Sequence, residues 1–405
     1  MSNKTARSKA CNYKEEYTII YIGIDTAKEK HFAVVTDSGQ NVLHEPFGFE
    51  NNMRGFSKLE AVIEKFKDSE TVIGMESTAH YAQTLITFLM QRKYTVSLIN
   101  PLQTAVLRKA AIRHTKTDRT DTKLIVKSMI VNGYRTLTEC DVRLLQLKHL
   151  ERFRSKLKKS VTQQKIRLRA VMDVIFPEFQ YFFASGLHIH TSYEILKLYT
   201  SPDEIADLHL TRLANLIRKA SNNAFDKETA VKLRELSKNS VGINDPVLCL
   251  EVKQLIAQIE LLEQQCADIE EKISGILADI DSPIKTIPRI GDNNAAAIIS
   301  EFGDLSRFDS PDQLTAFAGL DPTVNQSGKF NASGTRMSKR GSKYMRSALI
   351  NAAFQLLKVN LTFKNYYDKK RSEGKNHCNA LGHTAHKLVR IIFHIVKNNE
   401  AFSLP

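Results

Sequence analysis

Cysteine is scarce in this chain and poorly placed for structural chemistry. The five residues, Cys11, Cys140, Cys249, Cys266 and Cys378, show no C-x-x-C spacing and cannot all pair. Neither a zinc module nor a disulfide framework is therefore indicated, and a reducing cytosol fits. Long apolar runs are lacking as well. No charged stretch leads into an apolar one near the N-terminus, and no run approaches the roughly 20 residues that a membrane helix needs. The expectation is a soluble, cytoplasmic protein with no membrane partner. Low-complexity tracts are absent, and the only short repeats are heptads.

Positive charge is abundant. Lys and Arg number 58 against 44 Asp and Glu, a formal net charge of +14, which points to a polyanionic partner such as nucleic acid. At 405 residues the chain is long enough for two or three units, each with a real core.

Patterning divides the chain at about 138 and 283. In residues 17–138, "YTIIYIGID" is a β-branched run ending on an acid, and "KHFAVVTDSGQNVLHEPFGF" reads as two strands around a Ser38-Gly39 turn. Helices and strands then alternate: "NNMRGFSKLEAVIEKF" with Asn at its start, "TVIGME", "YAQTLITFLMQR", "TVSLIN" and "PLQTAVLRKA" with Pro at its first position. A hairpin followed by alternation predicts a mixed α/β sheet. Residues 139–283 predict long coiled-coil helices. Leu147, Leu150, Leu157, Val161, Leu168, Val171 and Ile175 share one seam, and Leu248, Val252, Leu255, Ile259, Leu262, Cys266, Ile269, Ile273, Ile276 and Ile280 form another, stepping by four and three without a miss. These helices can pair with each other or with another subunit. Between them, residues 176–245 read as an inserted segment of small helices with no motif. Residues 284–405 read as mainly helical, and "IKTIPRIGDNNAAAIISEFGDLSRF" opens them as a helix-hairpin-helix-like element or as a helix pair packed through alanines.

Four acids stand where chemistry is expected. Asp25 ends the first strand, Glu76 ends the strand in "VIGMESTAHY", and Asp118 and Asp121 open a helix in "KTDRTDTKL". Residues three apart on a helix share a face, so both aspartates can address one ion. Hard oxygen donors in this number suit Mg²⁺ or Mn²⁺. The plainer alternative is that Asp118 and Asp121 favour a helix N-terminus and Asp25 caps a turn. The neighbours Arg108, Lys109, Arg113, Lys116, Arg119 and Lys123 favour the metal reading, because acids set in a basic strip suit catalysis on a phosphate backbone.

Two further segments are strongly basic. Nine Lys or Arg residues lie between Lys148 and Arg169 with Glu151 the only acid, a face suited to nucleic acid. "QSGKFNASGTRMSKRGSKYMR", residues 326–346, has four serines and six basic residues without one carboxylate, and Ser347 follows it. A serine hydroxyl is a poor nucleophile at neutral pH, so a reactive serine here would need a base or metal from elsewhere in the chain.

In order along the chain, "YIGIDTAKEKH", "ESTAHY", "NP" at 100 and 101, "KTDRTD", "IPRIG", "FAGLDP", "QSG" and "SKRGSKYMRSAL" resemble the IS-one-ten type of insertion-sequence transposases. The resemblance spans nearly the whole chain. It departs at Ala79, where the family has Gly. It implies an N-terminal RuvC-like, RNase H-like domain in which Asp25, Glu76, Asp118 and Asp121 bind Mg²⁺, followed by a C-terminal serine transposase domain. Ser327 matches the family's nucleophile, which forms a covalent phosphoserine with DNA. Arg113, Lys116, Arg119, Gly328, Lys329, Arg336, Lys339, Arg340, Lys343 and Arg346 would then meet nucleic acid, the glycines allowing close approach. Implied partners are donor and target DNA and a structured bridge RNA. The implied assembly is a homodimer or homotetramer in which one subunit's metal site completes another's serine site, in a prokaryotic cell and close to the nucleoid. Two other readings stand beside it: a Mg²⁺-dependent hydrolytic junction nuclease, and a non-catalytic nucleic-acid-binding coiled-coil scaffold.

Overall fold

The computed structural model describes residues 19–76, 80–110, 118–305, 308–323, 326–327, 330–331 and 337–403. Its contacts divide the chain into two units, residues 1–139 and 140–405.

The first unit is a mixed sheet with helices on both faces. Strands β1 (Ile20–Asp25), β2 (Lys30–Thr36) and β3 (Val42–Glu50) run antiparallel. The β2–β3 turn is held by Asp37, whose carboxylate accepts from the backbone and side-chain nitrogens of Asn41. Helix α1 (Met53–Ile63) follows, capped by Asn52, whose side chain accepts from Gly55 N. Then come β4 (Thr71–Glu76), α2 (Gln83–Gln91), β5 (Thr95–Ile99), α3 (Pro101–Ala110) and α4 (Asp118–Asn132). The sheet order is β3-β2-β1-β4-β5, with β4 and β5 parallel to β1.

Alternation along the strands assigns each face its cover. Ile22 and Ile24 of β1 and Ile73 and Met75 of β4 pack with Phe56 and Leu59 of α1 and Leu85 and Leu89 of α2. Tyr21 and Val72, on the opposite face, pack with Ile125, Val126 and Met129 of α4.

The second unit is mainly helical. Helix α5 (Glu139–Ile175) and helix α10 (Pro246–Ala278) are its long members. Between them lie α6 (His190–Leu198), α7 (Pro202–Ala206), α8 (Leu210–Ala220) and α9 (Lys227–Lys238). After them come α11 (Asp292–Phe302), α12 (Pro311–Ala318), the two-residue strands β6 (Gln326–Ser327) and β7 (Phe330–Asn331), α13 (Lys343–Leu356), α14 (Leu361–Ser372) and α15 (His377–Lys397).

The coiled-coil expectation is corrected here. The heptad seams belong to two long helices running antiparallel within one chain, bridged by Arg154–Glu270 at 3.2 Å, Lys165–Glu263 at 2.6 Å and Arg167–Glu251 at 2.7 Å. Most of their apolar residues serve two local cores, while Leu157, Val161 and Cys266 are buried outside both. At one end, Leu168, Met172, Val252, Leu255 and Ile259 pack with Phe176, Phe179, Phe183, Leu213, Ile217 and Leu233. The inserted segment is thus a small helical subdomain around its own phenylalanine cluster. At the other end, Leu147, Ile273 and Leu277 join the core of α11–α15. Ala295, Ala296, Ala348, Ala352 and Ala353 are all buried in that core, so small side chains fill the contact of α11 with α13. Among the described residues no helix is long and apolar enough to cross a membrane.

Candidate functional site

Three of the four predicted acids have described side chains, and the fold gathers them at one edge of the first sheet. Asp25 and Glu76 end parallel neighbours, one step beyond the Ile24–Met75 pair, on strands roughly 4.8 Å apart. Alternation puts Asp25 on the face of Tyr21 and Gly23, and Glu76 on that of Val72 and Gly74, which is the face α4 covers. Both glycines admit that helix. A Cβ on Gly23 would collide with the Thr122 carbonyl and Val126, and one on Gly74 with the Met129 sulfur. Asp121, beside Thr122, is thereby carried to the sheet edge, 8% exposed. Asp118 opens α4, but its side chain lies outside the described residues, as do Arg113, Lys116 and Ala79. Arg119 is exposed on the first turn of α4.

Helix α3 supplies the partners. Thr104 Oγ1 donates to Glu76 Oε1, and four residues later Arg108 Nη2 donates to Asp121 Oδ1 at 2.9 Å. One face of α3 therefore holds one acid with a hydroxyl and another with a guanidinium. Two buried polar atoms at this edge, Thr26 Oγ1 and Arg108 Nε, have no hydrogen-bond partner among the described residues. Unsatisfied buried atoms gathered beside carboxylates are what a site for a further polar group leaves behind. Oxygen donors on a strand-end platform suit a hard divalent cation, although Asp25, Glu76 and Asp121 do not converge within 4.8 Å of one another.

The described residues do include one such close group, His190, Glu194 and Glu260, in the second unit. Lys197 Nζ already lies 2.6 Å from both carboxylates there. Its ammonium fills the place of a cation, so the group is an ion-pair cluster by its chemistry.

In the C-terminal part, Ser327 sits on β6, paired with Phe330 of β7. Its side chain, with Gly328, Lys329, Ser333 and Arg336, lies outside the described residues. The following stretch is tied down. Met337 bridges to Pro322, Ser338 Oγ donates to Asp321, and Ser342 caps α13 by accepting from Met345 N. Arg346 Nη1 donates to the Ala318 carbonyl at 3.3 Å, so that side chain is engaged within the fold. Lys339, Arg340 and Lys343 are exposed.

The buried Glu301 of α11 receives Arg152 Nε at 2.6 Å and lies 3.5 Å from Lys148, which joins α5 to the C-terminal helices. Burial would raise its carboxyl, but the Arg152 hydrogen bond and the Lys148 and Arg152 charges outweigh that and hold it below the usual range. Sequence reading missed Thr104 and the Arg152–Glu301 pair. Helical spacing of Thr104 and Arg108 on a helix directly after a strand was the available signal for the first, and nothing local signals the second.

A family model described as "Transposase", of the DEDD IS110 type, matches residues 22–177, and one described as "Transposase IS116/IS110/IS902 family" matches residues 281–368. The chain is 23% identical to the "Insertion element IS110 uncharacterized 43.6 kDa protein" of Streptomyces coelicolor, over 94% of each chain. It is 22% identical to the "Insertion element IS900 uncharacterized 42 kDa protein" of Mycobacterium paratuberculosis, over 95% of this chain and 97% of that one. It is 23% identical to the "Pilin gene-inverting protein" of Moraxella bovis, over 94% of this chain and 97% of that one. Thermus thermophilus RuvC in complex with a Holliday junction substrate aligns with 29% of this chain and 99% of its own at 10% identity, with a TM-score of 0.23, too low to build on. With two models of the same kind matched in order and relatives aligned almost end to end, the chain belongs to the IS110/IS116/IS902 family of insertion-sequence transposases, enzymes that cleave and rejoin DNA.

Proposed function

We propose that this transposase exchanges DNA strands through a covalent phosphoserine on Ser327, with Asp25, Glu76, Asp118 and Asp121 as its metal-binding acids. The observation that carries the reading is the platform of Asp25 and Glu76 on adjacent parallel strand ends, with α4 bringing Asp121 over them. The strand order, a hairpin beside two parallel strands, supports an RNase H-like fold for this unit.

These acids would hold Mg²⁺ or Mn²⁺, which when bound supplies positive charge against a phosphate and makes a hydroxyl more acidic. Thr104 orients the Glu76 carboxylate, and Arg108 balances Asp121. Ser327 attacks the phosphorus, the P–O bond to the leaving strand breaks, and the displaced oxygen leaves with a proton. The serine ester conserves the phosphodiester energy, so the reverse attack by another strand's hydroxyl rejoins DNA without a high-energy cofactor. The lack of an acid between 326 and 346 supports activation by residues of the first unit, in the same or another copy of a homodimer or homotetramer. A bridge RNA pairing with donor and target DNA fits the +14 charge, and inversion, as in the name of the Moraxella relative, is one outcome of such exchange.

The test uses suicide DNA substrates. A DNA–protein adduct should form with the wild type and with Ser333→Ala and vanish with Ser327→Ala. Equal adducts in both variants would remove Ser327 from the mechanism, and cleavage leaving free ends without adduct would assign the hydrolytic reading. Sequencing of co-purifying RNA tests the guide: a discrete structured species supports it, and bulk cellular RNA opposes it.

A further inference from the structure

Helices α5, α11 and α13 enclose a cleft of about 360 Å³. Lys156 and Lys159 of α5 and Lys343 and Tyr344 of α13 line it, with the amides of Asn294 and Asn351. Its one acid, Glu151, is buried, with Oε2 accepting two hydrogen bonds from Arg154, which also reaches Glu270, and Oε1 without a partner among the described residues. That leaves the three lysines, all exposed, and among the described residues none of them has a carboxylate partner.

Elsewhere along α5 most basic residues are paired internally, Arg152 and Lys148 with Glu301, Lys158 with Glu270, Lys165 with Glu263 and Arg167 with Glu251, and among the described residues only the exposed Arg169 is not. The basic helix is therefore not uniformly available to a ligand, and two of its unpaired cations, Lys156 and Lys159, line this cleft. The Tyr344 ring forms part of the wall, with Lys343 Nζ 5.1 Å from its centre.

Size narrows the ligand. The volume is near the lower end of the roughly 300–1,000 Å³ range of small-molecule sites, room for a nucleotide and too little for a duplex. Ammonium groups beside an aromatic ring and neutral amides match a phosphate, a base face and a base edge.

From these observations we infer that the cleft between α5, α11 and α13 seats an unpaired nucleotide of a single-stranded segment, with its phosphates on Lys156, Lys159 and Lys343 and its base against Tyr344. The inference deepens the proposed nucleic-acid function and does not depend on Ser327 being the nucleophile. Phosphodiester is the shared chemistry of DNA and RNA, and the two are separated by experiment.

The test is fluorescence anisotropy of the full chain carrying Ser327→Ala in buffer with excess chelator and no divalent metal, so that binding is read without cleavage whichever group is the nucleophile. The probes are a labelled 12-nucleotide mixed-sequence DNA, the same sequence as RNA, and the DNA duplex, titrated at several salt concentrations. Lys156→Ala with Lys159→Ala should lower the single-strand salt slope by about 1.4, from two lost phosphate contacts. Tyr344→Leu should weaken single-strand binding about 5- to 150-fold, the range of one lost base stack, and leave the duplex unchanged. Asn351→Ala, exposed and outside the core, should weaken the single strand alone and guards against a folding effect of the tyrosine change. The tighter of DNA and RNA identifies the strand. The inference is overturned if Lys219→Ala with Lys227→Ala, an equal charge removal on the inserted segment, matches the cleft variant. It is also overturned if Tyr344→Leu and Asn351→Ala spare the single strand or weaken the duplex equally.

Discussion

Gly23 of β1 lies directly beneath the backbone carbonyl of Thr122 in α4, with no room for a Cβ between strand and helix. This contact sets how near Asp121 comes to Asp25. Gly23→Ala would push against backbone, which cannot swing aside as a side chain can, and should cost about 1–3 kcal/mol, with DNA cleavage falling further than stability explains. Thermal unfolding alongside strand-cleavage rates checks this. A variant as active as the wild type would show that the α4 position does not matter.

Gly275 is the opposite case. It lies in α10 with nothing within 4 Å of a Cβ and no positive φ. Gly275→Ala should stabilise the chain by up to about 1 kcal/mol, because alanine loses less backbone freedom in a helix. Denaturant midpoints of the two proteins would reveal it, and a loss of stability would mean that this face of α10 is covered in solution.

Thr104 and Arg108 act as positioning residues for two of the acids. Thr104→Val keeps the shape and removes the donor to Glu76, and should raise the Mg²⁺ concentration giving half-maximal cleavage by about 10- to 100-fold. Excess Mg²⁺ should restore most of the rate. Loss of rate at every Mg²⁺ concentration, together with a lowered melting temperature, would point to a purely structural hydroxyl.

Acid sensitivity should come partly from Glu301. Its folded carboxyl titrates below the ordinary 4.5, so its stabilisation is full above that value and is lost as pH falls through the folded pKa. Glu301→Gln should therefore flatten the acid limb of a stability–pH curve below about 4.5. At neutral pH, Arg152→Ala leaves a buried carboxylate with Lys148 and the Ser342 hydroxyl as its remaining partners and should cost about 3 kcal/mol.

A second window belongs to His188. Burial, with the charges of Lys165 and Arg169 adding to it, lowers its pKa from 6.5 to about 4, and its Nδ1 lies 3.0 Å from the Tyr193 hydroxyl. The unfolded chain takes up the proton first, so stability is full above pH 6.5 and declines between 6.5 and about 4. His188→Gln should remove that slope in urea midpoints measured across the interval, and an unchanged slope would assign it to other groups.

Much of this was legible locally. β-branched runs ending on an acid located Asp25 and Glu76, because strand ends follow from residue alternation and turn chemistry. Asn52 and Pro101 marked helix starts, because unsatisfied backbone donors need a cap or a residue without one. The heptads of α10 were also visible, but their partners were not: Leu255 packs with phenylalanines of the inserted segment and Ile273 with the C-terminal helices. Periodicity shows that a face is apolar without saying what covers it.

The sequence alone determined the acids, their basic surroundings, the family motifs in order and the excess charge, since each resides in residue identity or short-range spacing. Only the tertiary structure decided which charges are free. Arg152 and Glu301 are separated by 149 positions and Arg154 and Glu270 by 116, and such pairs neutralise most of the basic helix while leaving Lys156 and Lys159 open at the cleft. Charge neutralisation depends on distance in space, and no local rule of spacing reaches across more than a hundred residues.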